Sequence, residues 1–308
     1  MLPRVIVVTG PTASGKTAAA VELCRRIGGE VVSADSMQVY RGMDIGTAKP
    51  TIEERKGIPH HLIDVADPRL PFSVADFVAL ARPALRDILH RGLVPVICGG
   101  TGQYISALVD ELVFHSAPPD PNVRARLLEE AERNGGAAML ARLAGIDPEA
   151  AARLHPNDRK RILRALEVFE TTGEIVTEMN RRSRSAPREF DFRTFVLDPD
   201  RPSLYHRCDL RVGRMVELGL EDEVRRLEEG GVPRSAIAMQ AIGYKEMAAH
   251  LAGECAREEG IEAIRQATRQ YAKRQLTWFR AMKDATWLDA STAGPDSVAE
   301  SIADGIVT

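Results

Sequence analysis

Cysteine is scarce and scattered. Cys24, Cys98, Cys208 and Cys255 are the whole supply, and no two form a C-x-x-C pair. That spacing excludes a disulfide framework and a zinc site and fits a reducing cytosol. Long apolar runs are also missing: nothing approaches the roughly 20 residues needed to cross a bilayer, so no membrane association is expected. Met1 is followed almost at once by the strand-like Val5 to Val8, with no basic stretch, extended apolar run or small-residue cleavage site, so export is not expected either. Charge of one sign does not dominate, since 41 Lys and Arg face 44 Asp and Glu for a formal net charge of -3. Such a sum leaves a polyanionic partner open, because phosphates meet local charge.

What is present is an ordinary globular composition, 44% hydrophobic and 28% charged over 308 residues. That length holds one large α/β domain with an insertion, or two modest domains. Val5 to Val8 reads as a buried strand, Lys16 to Ile27 has helical spacing, and Glu30 to Ser33 is again strand-like. A helix from Ser73 to about His90 leads to the strand Val94 to Cys98. This alternation predicts parallel βαβ units in a doubly wound sheet. From about Ser116 an Ala-Pro-Pro-Asp-Pro stretch breaks the chain, and the sequence to about Ser185 is helical, with no convincing strand. Strand signals return at Thr194 to Leu197 and Thr286 to Leu288, with long helices between them at about Pro202 to Glu229 and Gln240 to Lys283. The expected architecture is a core of residues 1–115 and 190–308 with a helical insertion over 116–189. The Ser-Arg-Ser-Ala-Pro segment near residue 185 reads as a mobile connection, and Trp278 as a core residue.

Basic residues cluster in the insertion: Arg153, Arg159, Lys160, Arg161 and Arg164, then Arg181, Arg182, Arg184 and Arg188. Asp158, Glu167, Glu170, Glu174 and Glu178 are interspersed, so charge alone is compatible with a solvated, salt-bridged helix surface.

The strongest motif is Gly10-Pro11-Thr12-Ala13-Ser14-Gly15-Lys16-Thr17, a match to G-x-x-x-x-G-K-[ST] directly after a strand and directly before a helix. In that context the glycines let the backbone fold into a nest of inward N–H groups at the positive end of a helix. Lys16 adds a charge for a terminal phosphate, and the Thr17 hydroxyl suits Mg²⁺. The strand Val94 to Cys98 ends in Gly99-Gly100-Thr101-Gly102 rather than in an acid, and no Asn-Lys-x-Asp motif appears. A motor or switch nucleotidase is therefore not expected, while a small-molecule or nucleoside kinase stays open. Asp35, after the second strand, falls on the same rim of the sheet. It can serve as a proton acceptor or as a turn cap, and Thr101 likewise as a substrate contact or a helix N-cap.

These motifs, with the string Asp35-Ser36-Met37-Gln38-Val39-Tyr40-Arg41-Gly42-Met43-Asp44-Ile45-Gly46-Thr47-Ala48-Lys49-Pro50, closely resemble the tRNA dimethylallyltransferases. Further matches are His60-His61-Leu62-Ile63-Asp64, Arg161-Ile162-Leu163-Arg164-Ala165-Leu166-Glu167, Gln240-Ala241-Ile242-Gly243-Tyr244 and Lys273-Arg274-Gln275-Leu276-Thr277-Trp278-Phe279-Arg280. The resemblance spans nearly the whole chain, and the string from Asp35 is its most specific part. It implies a P-loop-kinase-like core that moves a dimethylallyl group from dimethylallyl diphosphate to N6 of the adenine beside the anticodon, with Mg²⁺ assisting. By the same resemblance Asp35 is the base, Thr101 belongs to the catalytic group, and Thr12 lies beside the diphosphate. Asp35, Ser36, Met37, Gln38 and Thr101 are implied to face tRNA. So are Arg159, Lys160, Arg161, Ile162, Leu163, Gln240, Ala241, Ile242, Gly243, Tyr244, Lys245, Lys273 and Arg274.

Arg207 and Arg211, four apart on one predicted helix, are candidates to complete a pyrophosphate clamp or, alternatively, a surface pair bridging neighbours such as Asp209. The adenine is expected to leave its stack to react, with Gln38 or a backbone amide near Thr101 reading its edge. The expected partners are the tRNA anticodon stem-loop and dimethylallyl diphosphate, for a monomer in the cytoplasm.

Overall fold

The structure is a computed structural model that describes residues 2–112, 120–185 and 187–307. The chain break expected from Ser116 lies outside the described residues. Two compact units are resolved: a larger one of residues up to Val109 together with those from Glu189 onward, and a smaller one, Asp110–Arg188.

The larger unit opens with β1 (Arg4–Thr9), α1 (Lys16–Ile27), β2 (Gly29–Ser33), the single turn α2 (Ile52–Arg55) and β3 (His60–His61). It continues through α3 (Val74–His90), β4 (Val94–Gly99) and α4 (Gly102–Val109). The smaller unit carries α5 (Pro121–Ala144), α6 (Pro148–Ala151), α7 (Arg159–Thr172) and α8 (Val176–Ser185), with no strand among its described residues. The chain then returns as β5 (Asp191–Leu197), α9 (Arg201–Glu217), α10 (Leu220–Glu229), α11 (Tyr244–Leu251), α12 (Arg257–Phe279), β6 (Ala285–Leu288) and α13 (Pro295–Val307).

The six strands form one parallel sheet in the order β3-β2-β4-β1-β5-β6, as the βαβ alternation predicts. Its central strands are buried on both faces, which is why they read as continuous Val and Ile runs. Ile6, Val8, Val96 and Phe195 pack on one face against Leu23 of α1 and Ile302 of α13. Parallel pairing brings the carboxyl ends of β1, β2, β4 and β5 to one edge, where the loops starting at Gly10, Ala34, Gly100 and Asp198 emerge.

The opposite edge is fastened by a buried acid. Glu30, near the start of β2, receives Arg91 through two bonds of 2.6 Å each and lies 2.7 Å from His61 Nε2 of β3. The Arg91 bonds, helped by His61, hold its carboxyl down at about 2 despite burial.

Several local expectations change. The helix expected over Pro202 to Glu229 is broken at Gly219, whose φ of 93° admits the left-handed turn that starts α10. The one expected from Gln240 to Lys283 divides into a 3₁₀ turn (Ala238–Gln240), α11 and α12, with Gly243 at φ 98° and Gly253 at φ 75° in the breaks. The two-residue β3 is too short to show a strand pattern. The connection expected near residue 185 is helical through Ser185, although Ala186 lies outside the described residues. Trp278 is not core: it is 42% exposed, its Nε1 donates to Ser106, and its ring fills the space a side chain at Gly102 would need.

In the smaller unit, Leu127, Met139, Leu143, Ile162, Leu163 and Leu166 make a separate core. Gly135 breaks α5 with φ 78°, and Gly136 packs so closely on the Pro156 carbonyl that a Cβ would stand 2.1 Å from it.

Because the folded Glu30 carboxyl is depressed from its ordinary value near 4.5, its contribution is full above that value and disappears as pH falls towards about 2. Glu30→Gln should therefore cost about 2 kcal/mol at pH 7 and much less near pH 2.5. Thermal melts at both pH values check this, and an equal penalty at the two would refute it.

Candidate active site

The phosphate loop has the geometry its residues dictate. Ala13 and Gly15 adopt left-handed φ values of 62° and 88°, alternating the backbone into a nest at the start of α1. Gly10 is fixed by contact, since a Cβ there would lie 2.7 Å from the Leu197 carbonyl of β5. The Ser14 hydroxyl is buried and has no hydrogen-bond partner among the described residues. Lys16 Nζ donates to Pro11 O at 3.1 Å, and burial, reinforced by the positive charge of Arg211, lowers its pKa. The Thr17 hydroxyl is hydrogen-bonded to the Cys98 thiol, which leaves lone pairs on its oxygen.

Asp35 performs the turn-capping role and remains available for another. Its Oδ1 accepts from Met37 N at 2.9 Å and Gln38 N at 3.3 Å, while Oδ2 takes no bond among the described residues. Thr101 precedes α4 and is tied to Ser36 by the amide at 3.0 Å and the hydroxyl at 3.3 Å, with the Tyr271 phenol on the same hydroxyl. Burial pushes that phenol up to about 12. The loops after β1 and β4 are bridged by Gln275 of α12, which accepts from Thr12 N and donates to Gly100 O, both at 2.8 Å.

These elements enclose a cleft of about 290 Å³. Its polar end carries Thr12, Asp35, Thr47, Arg211 and Arg274, and its apolar end Val212, Met215, Ile242 and Ile264. Arg211 donates to Thr47 O at 3.3 Å; burial lowers its pKa, and Asp35 is the largest opposing influence. One cleft therefore holds two cations beside a carboxylate, with an apolar wall adjoining them.

Not every expected residue joins this cleft. Ser36, Met37, Gln240 and Ala241 line it with Ile242. Arg207 turns away to donate to the carbonyls of Ala290 and Ser291, so the arginine pair expected to share one clamp diverges. Gln38, expected to read a base edge, is buried and turned to its own loop: its Nε2 donates to Thr47 O and Ala48 O, and its Oε1 receives the Ser33 hydroxyl. Tyr244 is fully buried and donates to Glu223, so its side chain has no surface to offer tRNA. Gly243 is buried beside it, whereas Lys245 is exposed in a different groove. Lys273 faces a groove with Arg201 and Arg280.

In the smaller unit Ile162 and Leu163 are core residues, which removes their side chains from any docking surface. Arg159, Lys160 and Arg161 are exposed and make no ion pair among the described residues, unlike Arg153, Arg164, Arg181 and Arg182.

The apolar wall of Val212, Met215 and Ile264 and the contacts of Thr47 and Tyr271 carry no motif in the sequence, and two buried polar residues that brace the cleft, Glu223 and Gln275, also went unrecognised. Glu223 sits in the apolar stripe Leu220, Val224, Leu227 of α10, and Gln275 in the stripe Thr268, Ala272, Phe279 of α12. A lone polar residue at a core spacing was the available signal, since such a group needs a partner.

The IPP transferase family model matches residues 38–282, and an isopentenyl transferase model matches residues 3–66. The chain belongs to the IPP transferase family. Relatives within or beside this family include a tRNA dimethylallyltransferase of Geobacter metallireducens, 50% identical over 93% of this chain and 92% of its own. Among solved structures, the full-length tRNA isopentenylpyrophosphate transferase of Bacillus halodurans aligns with a TM-score of 0.74 at 42% identity, over 99% of this chain and 95% of that one. A eukaryotic dimethylallyltransferase acting on tRNA aligns with a TM-score of 0.83 at 30% identity, over 99% of this chain and 78% of that one.

The divergence of the two arginines is testable by calorimetry with pyrophosphate. Lys16→Ala and Arg211→Ala should each weaken binding about 10- to 100-fold, the worth of a charge-assisted contact. Arg207→Ala should stay within about threefold by the same conversion, and an equal loss there would return Arg207 to the clamp.

Proposed function

We propose that this enzyme transfers a dimethylallyl group from dimethylallyl diphosphate to N6 of the adenine 3′-adjacent to the anticodon of tRNA, releasing pyrophosphate. The composition of the cleft that Asp35 lines supports this reading. Arg211, Asp35 and Thr12 of the phosphate loop line it together with an apolar wall, and Lys16 of the same loop is close enough to feel the charges of both Arg211 and Asp35. No helix of the described residues is long and apolar enough to cross a membrane, and a tRNA substrate places the reaction in the cytoplasm.

The exocyclic amine of adenine is a weak nucleophile because its lone pair is delocalised into the ring. The protein therefore has to ease departure of pyrophosphate and remove a proton. Loop amides, Lys16 and Arg211 stabilise the negative charge that grows as the allylic C–O bond breaks. Val212, Met215 and Ile264 receive the hydrocarbon and keep water from the allylic carbon. As the C–N bond forms, Asp35 Oδ2 accepts the N6 proton, while Oδ1 stays in its turn and fixes the carboxylate's direction. The Thr17 hydroxyl, in the first turn of α1 beside the phosphate nest, fits a Mg²⁺ brought in with the diphosphate, since a hydroxyl plus phosphate oxygens suits that ion. Thr17 would hold it, and Mg²⁺ would supply further neutralisation of the leaving group.

For the acceptor, the smaller unit offers Arg159, Lys160 and Arg161 in the first turn of α7. Cations at a helix N-terminus oppose the helix dipole, an arrangement that favours an external anion such as an RNA phosphate.

Incubation with labelled dimethylallyl diphosphate, Mg²⁺ and unmodified tRNA, followed by mass spectrometry of the nucleosides, should find N6-dimethylallyl adenosine. Folded protein that leaves the tRNA unlabelled would end the proposal. Asp35→Asn, which keeps the turn but removes the base, should lower transfer at least about 100-fold, consistent with general-base contributions, without weakening pyrophosphate binding. Replacing Arg159, Lys160 and Arg161 together by Glu should reduce the dependence of log tRNA affinity on log salt by roughly 2. An unchanged salt slope would remove this turn from the RNA contact.

A further inference from the structure

The loop after β2 is gripped from behind by one carboxylate. Asp44, Ile45 and Gly46 present three successive N–H groups to Glu223 of α10. Asp44 donates at 3.0 Å, Ile45 reaches both oxygens at 3.1 and 2.9 Å, and Gly46 donates at 3.1 Å. Tyr244 adds its phenol at 2.6 Å. Successive amides that converge in this way form an anion receptor of the kind a phosphate uses, but here a side chain of the same protein fills it. Glu223 is 2% exposed and has no ion pair among the described residues, so these donors are what offsets its desolvation.

The loop so held carries the polar end of the cleft. Thr47, the next residue, gives its carbonyl to Arg211 and to Gln38, each at 3.3 Å. The main-chain N–H of Gln38 in turn donates to Asp35 Oδ1 at 3.3 Å, closing a path from α10 through Gln38 to the carboxylate in the cleft. Gly46 and Thr47 line the cleft, whereas Glu223 does not. The fit is tight on the buried side: a Cβ at Gly46 would lie 2.4 Å from the Tyr244 ring and 2.9 Å from Leu220.

We infer that Glu223 is a positioning residue for the transfer reaction. Its carboxylate sets the height of the Thr47 carbonyl, and through that carbonyl it aligns Arg211 with Asp35. This role rests on the function proposed above. A carboxylate suits the task because two oxygens can accept from four donors at once. The glutamine isostere keeps the volume but turns an NH₂ towards amides that are themselves donors.

The test compares wild type, Glu223→Gln and Gly46→Ala in folding, hydrogen exchange across residues 44–47, and kcat and KM for transfer to tRNA. Glu223→Gln should stay folded, exchange faster at those amides, and lose about 100-fold in kcat, the cost of a displacement near 1 Å. Its KM for tRNA should stay within about threefold, a change worth under 1 kcal/mol. Folded Glu223→Gln with wild-type kcat would overturn the inference, as would lost activity with unchanged exchange at residues 44–47. Should Glu223→Gln fail to fold, Gly46→Ala decides, because its methyl pushes the loop off Tyr244 with the carboxylate intact. A matching loss of kcat supports the inference, and a normal kcat overturns it. Inactive wild-type protein would instead overturn the proposed reaction itself.

Discussion

The arrangement depends on strands that run in one direction and end at one level. Because β1, β2 and β4 are parallel neighbours across the sheet centre, their loops leave the same edge and must pass within contact of one another. That contact is so close that a Cβ at Gly99 would stand 2.2 Å from the Ala34 carbonyl, and one at Gly100 would stand 2.4 Å from Gln275 Nε2. Glycine is thus the condition for bringing a phosphate nest and a carboxylate into one cleft. The opposite edge is closed by Glu30, Arg91 and His61, so that stability and chemistry occupy different ends of the same strands.

Charge is distributed by the same logic. Lys16 of the phosphate loop and Arg211 of the cleft have their pKa values lowered, because burying a positive charge is costly. A diphosphate would reverse that cost, whereas a neutral ligand would not. Asp35 moderates the repulsion between Lys16 and Arg211, and this gives the carboxylate an electrostatic role besides its part in the turn. On the smaller unit the carboxylates are paired with Arg126, Arg142, Arg164 and Arg182, while the first turn of α7 is left positive.

Legibility in the sequence followed the distance over which each constraint acts. The phosphate loop is contiguous, so its eight residues announced both the nest and the following helix. The strands were readable because burial on both faces leaves an unbroken apolar run. Asp35 was placed at the correct edge, but its division into a bound and a free oxygen depends on the turn that follows. Family strings marked segments without saying which way each side chain points, which is why Gln38, Tyr244, Ile162 and Leu163 proved internal. Glu223 acts on amides 177 to 179 residues away, so no local pattern could reveal its partner. Arg207 and Arg211 share a helical spacing, yet the Ala290 and Ser291 carbonyls capture one of them.

One cleft joins Thr12 of the phosphate loop to Asp35, whose Oδ2 takes no bond among the described residues. A crystal structure with a non-hydrolysable donor analogue tests it most directly. The analogue's phosphates should lie within roughly 3 Å of Lys16 Nζ, Arg211 and the loop amides, with its allylic carbon facing Asp35 Oδ2. Phosphates lodged beside Arg207 or Lys273, or a hydrocarbon directed away from Asp35, would contradict it.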